Sequence, residues 1–461
     1  MLPSLTGFYT FACAAKYLSF TKAAQELNVT QGAISQQIRH LEDDLGLKLF
    51  HRKTRKLTLT KEGKRLAEVV QYSMRSLIST IEEVKTGGSL KREIDPNFSV
   101  HEQDLHRGWV EEAIKVIDAE YYRCSDTNLL KLNLPTFPGI HLYFKDESTY
   151  PTGSFKHRLA RSLFSNALCN GWIQQGTTIV EASFGSTAIA EAYFAQLLGL
   201  PFIAVLPSSI SQRKLEKIKF YGGKYHLVDD SRPIRIVAQE LAEKHQGHFM
   251  DQYLYAERAV GWRTDQNLAA SIYEQMQKEL YPLPKWIVVG VGTGGTSSLI
   301  GRYNRFRQMP TKLCAVDPEN SVYFDYYQTG NRNLISHSRS RVEGIGAPRV
   351  EPSFIPGVID RMMRIPDAAT FASLHYLEKV LGHKCGGSTG SNFYGTLQLI
   401  REMRDNQETG SIVTLIPDSG DNYLDTYYNP EWLQANDYPV EQYYQQIETF
   451  FTTGRWIDLE K

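Results

Sequence analysis

The residues best suited to chemistry fall in four short stretches, each at the end of an apolar run. The first contains Lys156, in Lys145-Asp146-Glu147-Ser148-Thr149-Tyr150-Pro151-Thr152-Gly153-Ser154-Phe155-Lys156-His157-Arg158. Most lysines are solvated charges, but one at a cleft whose neighbours desolvate its amine can form a Schiff base with a carbonyl compound. The second is Gly290-Val291-Gly292-Thr293-Gly294-Gly295-Thr296. Glycines let backbone approach a ligand closely, and the N–H groups of such a turn, with a following helix N-terminus, can hold a phosphate. A tight strand-to-helix connection has the same appearance. The dinucleotide fingerprint is not met, because no convincing acidic ribose partner lies about twenty residues on. The third, Ser183-Phe184-Gly185-Ser186-Thr187, reads alone as a helix cap, and the fourth, Pro417-Asp418-Ser419-Gly420-Asp421-Asn422-Tyr423, as an ordinary turn.

These stretches need a scaffold that ends strands at one place. Apolar strand patterns at 140–144, 177–182, 202–206, 286–289, 312–316 and 412–416 alternate with helical segments, among them Leu159 to Leu168 and Ser297 to Phe306. That alternation predicts parallel α/β layers, which bind ligands at the carboxyl ends of their strands. Lys156 then stands just inside a helix opened by Pro-Thr-Gly-Ser turn and cap chemistry.

The first ninety residues follow another pattern. Helical spacing is expected over Leu5–Tyr17, Phe20–Leu27 and Thr30–Leu45, with Thr30 as an N-cap. On the third helix Ile34, Ile38, Leu41 and Leu45 share a face, Gly32, Ser35, Gln36 and Arg39 point away, and Gln31 sits in the first turn. A helix, a tight turn and a second helix with polar outward residues suit a major-groove reader, and Gln and Arg can contact base edges bidentately. Residues 49–60, with Arg52 and Arg55, read as a basic β-wing touching phosphates. The wording Phe20-Thr21-Lys22-Ala23-Ala24, Val29-Thr30-Gln31-Gly32-Ala33-Ile34-Ser35 and Leu49-Phe50-His51-Arg52 resembles the winged helix-turn-helix of LysR-type transcriptional regulators from Leu2 to about Leu66. Apolar steps at Leu66, Val70, Ser73, Leu77, Ile81 and Val84 suit a coiled-coil seam or a helix packed on its own domain. In LysR-type regulators a linker helix here pairs two subunits. The expected domains are 1–60 for DNA binding, 61–88 for a dimerisation helix and 89–461 for the α/β body. Nothing after residue 90 resembles the usual LysR effector domain.

Bulk properties agree. A chain of 461 residues exceeds one compact core, and its 42% hydrophobic and 22% charged residues are ordinary for a soluble protein. The balanced charge hides a split: residues 1–65 carry eleven Lys and Arg against five acids, so the head is +6 and the rest −6. The five cysteines are scattered, with no CxxC, and read as cytoplasmic thiols, not as a zinc site or disulfide frame. No signal peptide or membrane-length apolar run is present, so no metal and no membrane are expected and a cytoplasmic location is.

Taken together and in order, Lys156, Ser183–Thr187, Gly292–Thr296 and Ser419 resemble the fold-type II pyridoxal-phosphate (PLP) enzymes, over roughly Asp126 to Tyr423. That resemblance implies two parallel-sheet α/β subdomains with PLP in the cleft, Lys156 as its Schiff-base lysine, and Gly292, Thr293, Gly294, Gly295 and Thr296 as its phosphate cradle. It further implies Ser419 at the pyridine nitrogen, and Ser183, Gly185, Thr187 and Gln252 at the substrate carboxylate, with Gly346 lining the cleft. Ser186 stands where the cysteine synthase family has an asparagine beside the ring oxygen. A neutral serine partner would leave the ring nitrogen unprotonated and favour β-elimination and β-replacement. The strings at 145–164, Cys169-Asn170-Gly171-Trp172-Ile173 and Gly386-Gly387-Ser388-Thr389-Gly390 look like L-cysteine desulfhydrases. The expected function is therefore a cysteine desulfhydrase-like lyase, acting on L-cysteine and yielding sulfide, pyruvate and ammonia, fused to a regulator that binds double-stranded operator DNA as a homodimer or higher homo-oligomer. Cysteine synthase-like β-replacement, or a PLP domain that only senses an amino acid, are the alternatives.

Overall fold

Side-chain oxygens cap all three N-terminal helices: Ser4, Ser19 and Thr30 accept the N–H groups of Gly7, Lys22 and Ala33 at 3.1, 3.3 and 3.2 Å. The computed structural model describes residues 4–53, 56–64, 66, 67, 70, 100–124, 126–229, 233–336, 338 and 340–459. It divides into two compact units, Met1–Glu102 and Gln103–Lys461. In the first, helices Leu5–Tyr17, Phe20–Glu26 and Gln31–Leu45 bury Phe11, Ala14, Ala23, Ile34, Ile38 and Leu41. Gln31, Gly32, Gln36 and Arg39 are exposed and Ser35 is half-buried, the division the helical spacing predicts. Strands β1 (Phe50–Lys53) and β2 (Lys56–Leu59) form the antiparallel wing. The buried Glu42 carboxylate accepts the N–H groups of Leu49 and Phe50 at 2.8 and 3.2 Å, tying the wing to the third helix. Ala67 and Val70, with Leu66 beside them, pack into this unit's own core. The rest of the seam (Ser73, Leu77, Ile81, Val84), Arg55 and the Arg52 side chain lie outside the described residues, as does the boundary at 88.

The second unit contains all but the first three residues of helix Val100–Cys124 and two sheets. Its strands are β3 (Asn128–Leu132), β4 (Ile140–Asp146), β5 (Ile179–Ala182), β6 (Phe202–Pro207), β7 (Lys224–Val228), β8 (His248–Phe249), β9 (Trp286–Gly290), β10 (Lys312–Pro318), β11 (Arg361–Ile365) and β12 (Gly410–Ile416). The larger sheet runs β11-β10-β9-β12-β4-β3, parallel except for the antiparallel edge strand β3. The smaller runs β7-β6-β5-β8, all parallel. The interior strands β5 and β12 are buried at every position, which is why they read as unbroken apolar runs. One continuous core joins the two sheets, with Ile179, Phe194 and Leu206 on one side and Ile287, Val289 and Val413 on the other. Helices Asp367–Leu381 and Gly387–Asp405 contribute to a second core with the larger sheet, around Phe144, Val316, Phe371 and Phe393.

Candidate active site

Lys156 is the first residue of helix Lys156–Cys169, but the expected side-chain cap is absent. Phe155 occupies the N-cap in a helical conformation, and the buried Ser154 hydroxyl has no hydrogen-bond partner among the described residues. The turn is held by backbone instead. Gly153, at φ 73°, donates to Tyr150 O at 2.7 Å, Phe155 N donates to Pro417 O at 2.7 Å, and Ser419 N donates to Gly153 O at 3.3 Å. The Lys156 turn is thereby zipped to the turn after β12, because β4 and β12 are paired through Asp146 and Ile416. Lys156 is buried, and desolvation lowers its amine to about 8 against the pull of Glu181, Asp418 and Glu191. Such an amine is part neutral near physiological pH, the state a nucleophile or base requires.

After β5 the chain turns through Ser183–Gly185 into helix Ser186–Leu197. Ser183 Oγ accepts from Gly185 N at 3.0 Å and from Ala188 N at 3.3 Å, so it does cap this turn. Thr187 Oγ1 donates to Gln252 Oε1 at 2.7 Å, and Gln252 Nε2 donates to Ala182 O at 3.2 Å. Four of the predicted substrate contacts, Ser183, Gly185, Thr187 and Gln252, are thus brought to one strand end. Half-buried Ser186 begins the helix beside them. After β9 the glycine turn passes so close to its neighbours that side chains are excluded: a Cβ on Gly292 would lie 2.2 Å from Gly344 O, and one on Gly294, at φ 89°, 2.5 Å from Ser353 O. Gly346 N donates to Val291 O at 2.7 Å, which sets the 344–347 stretch against this turn. Gly294 is the N-cap of helix Gly295–Phe306, and Thr293 and Thr296 flank its first residue. A pocket lined by Phe155, Arg158, Asn267, Thr293, Gly295 and Thr296 opens beside it. A glycine-rich turn at a helix N-terminus, with a buried amine and an orphaned hydroxyl elsewhere in the same unit, fits a group that carries a phosphate and an aldehyde.

Ser419 lies where the sequence expects, after β12, but its hydroxyl is engaged. It donates to Asp421 Oδ2 at 2.9 Å and accepts from Asp421 N at 3.2 Å, capping the short helix Gly420–Tyr423. A contact to a ring nitrogen requires it to turn away from Asp421.

Several residues of this site escaped the sequence reading. Asp418 is buried and accepts the Tyr423 hydroxyl at 2.6 Å; burial pushes its carboxyl up to about 6. Glu181 and Glu191 are buried carboxyls on β5 and its covering helix; a glutamate inside an apolar strand was the available signal. Lys214 is also buried. Its ammonium bonds Glu343, lies 3.5 Å from Phe184 O and 5.4 Å from the Tyr423 ring centre, while Arg213 and Lys217 reach Asp421 O and Asn422 Oδ1 at 3.0 and 2.9 Å. In sequence that helix, Gln212–Phe220, looks like a solvated basic face. Next to Lys156, His157 Nε2 bonds Glu120 Oε1 at 2.7 Å, and Arg161 holds Glu120 Oε2 at 2.8 and 3.0 Å. Burial keeps the imidazole neutral, so the ion pair is between Arg161 and Glu120. All five cysteines are free thiols. Among the described residues no helix is long and apolar enough to cross a membrane.

Comparison with known proteins gives two family matches: "Pyridoxal-phosphate dependent enzyme" over residues 122–418 and "Bacterial regulatory helix-turn-helix protein, lysR family" over residues 5–64. The chain is 52% identical over 337 residues to L-cysteine desulfhydrase Cds1 of Mycobacterium tuberculosis, covering 72% of this chain and 92% of that protein. It is 28% identical over 302 residues to a cysteine synthase of Aquifex aeolicus, covering 62% and 83%. Among solved structures it resembles an O-acetylserine dependent cystathionine beta-synthase from Helicobacter pylori, with a TM-score of 0.58 and 27% identity over 68% of this chain and 97% of that one.

Proposed function

The chain belongs to the pyridoxal-phosphate dependent enzymes and carries a lysR-family helix-turn-helix at its N-terminus, and on that premise we propose that it cleaves the carbon–sulfur bond of L-cysteine and binds operator DNA. The observation that carries the first half is the buried amine of Lys156, held at about 8 by desolvation. The extent and level of identity to a cysteine desulfhydrase favour elimination over transfer to an acceptor.

Lys156 is the attachment residue and, once released, the base that takes the substrate's Cα proton onto Nζ. PLP, when bound, supplies the electron sink that lets that proton leave. The backbone N–H groups of Gly292–Thr296 and the N-terminus of helix Gly295–Phe306 would hold its phosphate, and Ser186 and Ser419 would contact its ring. Ser183, Gly185, Thr187 and Gln252 orient the substrate carboxylate, which fixes the Cα proton relative to Lys156. Gly346 lines the far wall. Loss of sulfide from Cβ and hydrolysis of the remaining enamine give pyruvate and ammonia.

In the head, Thr30, Gln31, Ser35, Gln36 and Arg39 face the major groove, and Arg52 and Arg55 the phosphates. We assign 1–60 to DNA binding, 61–88 to a helix that pairs two copies, and 89–461 to the enzyme. Lys156→Ala is expected to abolish the visible absorption band of the bound cofactor and, with it, sulfide release. A variant that keeps the band would overturn the lysine assignment.

A further inference from the structure

We propose that Arg235 is a positioning residue for the substrate carboxylate: its guanidinium draws Asp251 into a left-handed conformation and thereby seats Gln252, the next residue, near the end of β5. Asp251 is the N-cap of helix Gln252–Ala259 and stands at φ 44° and ψ 69°, a region that a non-glycine residue rarely occupies. Aspartate is among the best N-cap residues because its carboxylate accepts the helix's free N–H groups. Here it makes no such cap. Both oxygens instead accept Arg235 Nη2, at 2.8 Å for Oδ1 and 2.6 Å for Oδ2. Local preference is thus denied twice at one residue, in its backbone and in its side chain, and contacts from elsewhere hold it there.

Arg235 lies in the first turn of helix Ile234–Lys244, which packs against β5, and its side chain is only 12% exposed. A second carboxylate fixes it further: Nη1 donates to Glu351 Oε2 at 3.3 Å, and Arg349 Nε donates to Glu351 Oε1 at 3.0 Å. The Tyr253 ring centre lies 5.6 Å from the guanidinium carbon. A planar guanidinium held by two carboxylates and a ring is set in direction as well as in place. A buried ion pair adds little net stability over packed apolar groups, so what the Arg235–Asp251 pair supplies is geometry. That geometry places Gln252. Its backbone N–H donates to Glu181 Oε2 at 3.2 Å, its Oε1 accepts the Thr187 hydroxyl at 2.7 Å, and its Nε2 donates to Ala182 O at 3.2 Å. An amide nitrogen has two N–H groups, so Nε2 keeps one for a substrate carboxylate. Relaxation of Asp251 to the extended region turns the peptide that follows and withdraws Gln252 from Thr187 and Ala182.

This inference rests on the reading that Gln252 meets the substrate carboxylate, and Gln252→Ala tests that separately. The carboxylate contact is the same before and during reaction, so its loss falls on substrate affinity more than on kcat. In the full-chain holoenzyme, Arg235→Met is expected to raise the KM for L-cysteine about tenfold, with kcat within about threefold and the cofactor spectrum unchanged. Arg235→Met/Asp251→Gly is expected to return KM to within about threefold of wild type, because glycine adopts the left-handed conformation without a tether. Arg235→Met/Asp251→Ala removes the same stranded charge but keeps the conformational penalty, and is expected to stay at the raised KM. Amide hydrogen exchange over residues 251–256, read on folded full-chain protein without substrate, is expected to follow the same order. Equal KM values in the Gly and Ala double variants would make Arg235 a counter-charge only and overturn the proposal. A wild-type KM in Arg235→Met, with a raised one in Gln252→Ala, would overturn it too. An unchanged KM in Gln252→Ala would overturn the reading of Gln252 and this proposal with it.

Discussion

His157 follows Lys156 in sequence and is bound to Glu120, a group thirty-seven residues earlier. Burial alone would raise Glu120, but the His157 hydrogen bond, the Arg161 charge and the Cys124 thiol outweigh it and hold the carboxyl at about 2. A carboxylate whose folded pKa is depressed contributes stability above its unfolded value, about 4.5, and loses that contribution as pH falls toward 2. Glu120→Gln leaves Arg161, whose side chain is only 11% exposed, without its partner charge, so the enzyme unit is expected to lose about 3 kcal/mol at pH 7. The deficit should shrink between pH 4.5 and 2, as calorimetric melts across that range would record. An equal deficit at both ends would mean that Glu120 matters for packing and not for charge. Glu181 has the opposite sign. Its raised carboxyl favours the folded state most below about 4.5, and that contribution fades as pH rises toward 8.

At the level of elements, the parts legible in sequence were those with a strong local pattern. The caps at Thr30 and the interior strands β4, β6, β9, β10 and β12 stand near the expected positions, since burial on both faces leaves no ambiguity in an apolar run. The edge strands β3, β7 and β11 were missed because alternating or partial exposure weakens the signal. The Lys156 helix was placed correctly, yet its start is stabilised by the turn after β12, far along the chain, through Pro417 O, which no local cap rule could supply. Long-range closeness also hid Lys214, whose partner Glu343 lies far along the chain. The glycine turn after β9 has a physical requirement that can be tested. Gly294→Ala adds a Cβ 2.5 Å from Ser353 O at a left-handed φ, so the turn must open or strain by about 1–3 kcal/mol. Cofactor affinity is expected to fall at least about tenfold, since that strain acts on the phosphate N–H groups directly. Equilibrium titration of the cofactor-free variant measures it, and wild-type affinity would exclude this turn as the phosphate site.

The whole molecule joins a +6 head, folded as a regulator's winged helix, to an enzyme body built on two mainly parallel sheets. In a LysR-type regulator the segment after the linker helix receives the signal; here a PLP-dependent enzyme stands in that place. The head belongs to a DNA-binding family, and the body to enzymes that act on amino acids. Turnover distinguishes an enzyme from a receptor that merely holds its ligand. The direct measurement is to mix the purified full chain with L-cysteine and follow sulfide and pyruvate together, with Lys156→Ala as the control. Sustained release of the two in equal amounts, absent in the variant, is the predicted result. A cofactor spectrum that shifts on adding L-cysteine and then stays fixed, with neither product formed, would contradict the assignment as a lyase.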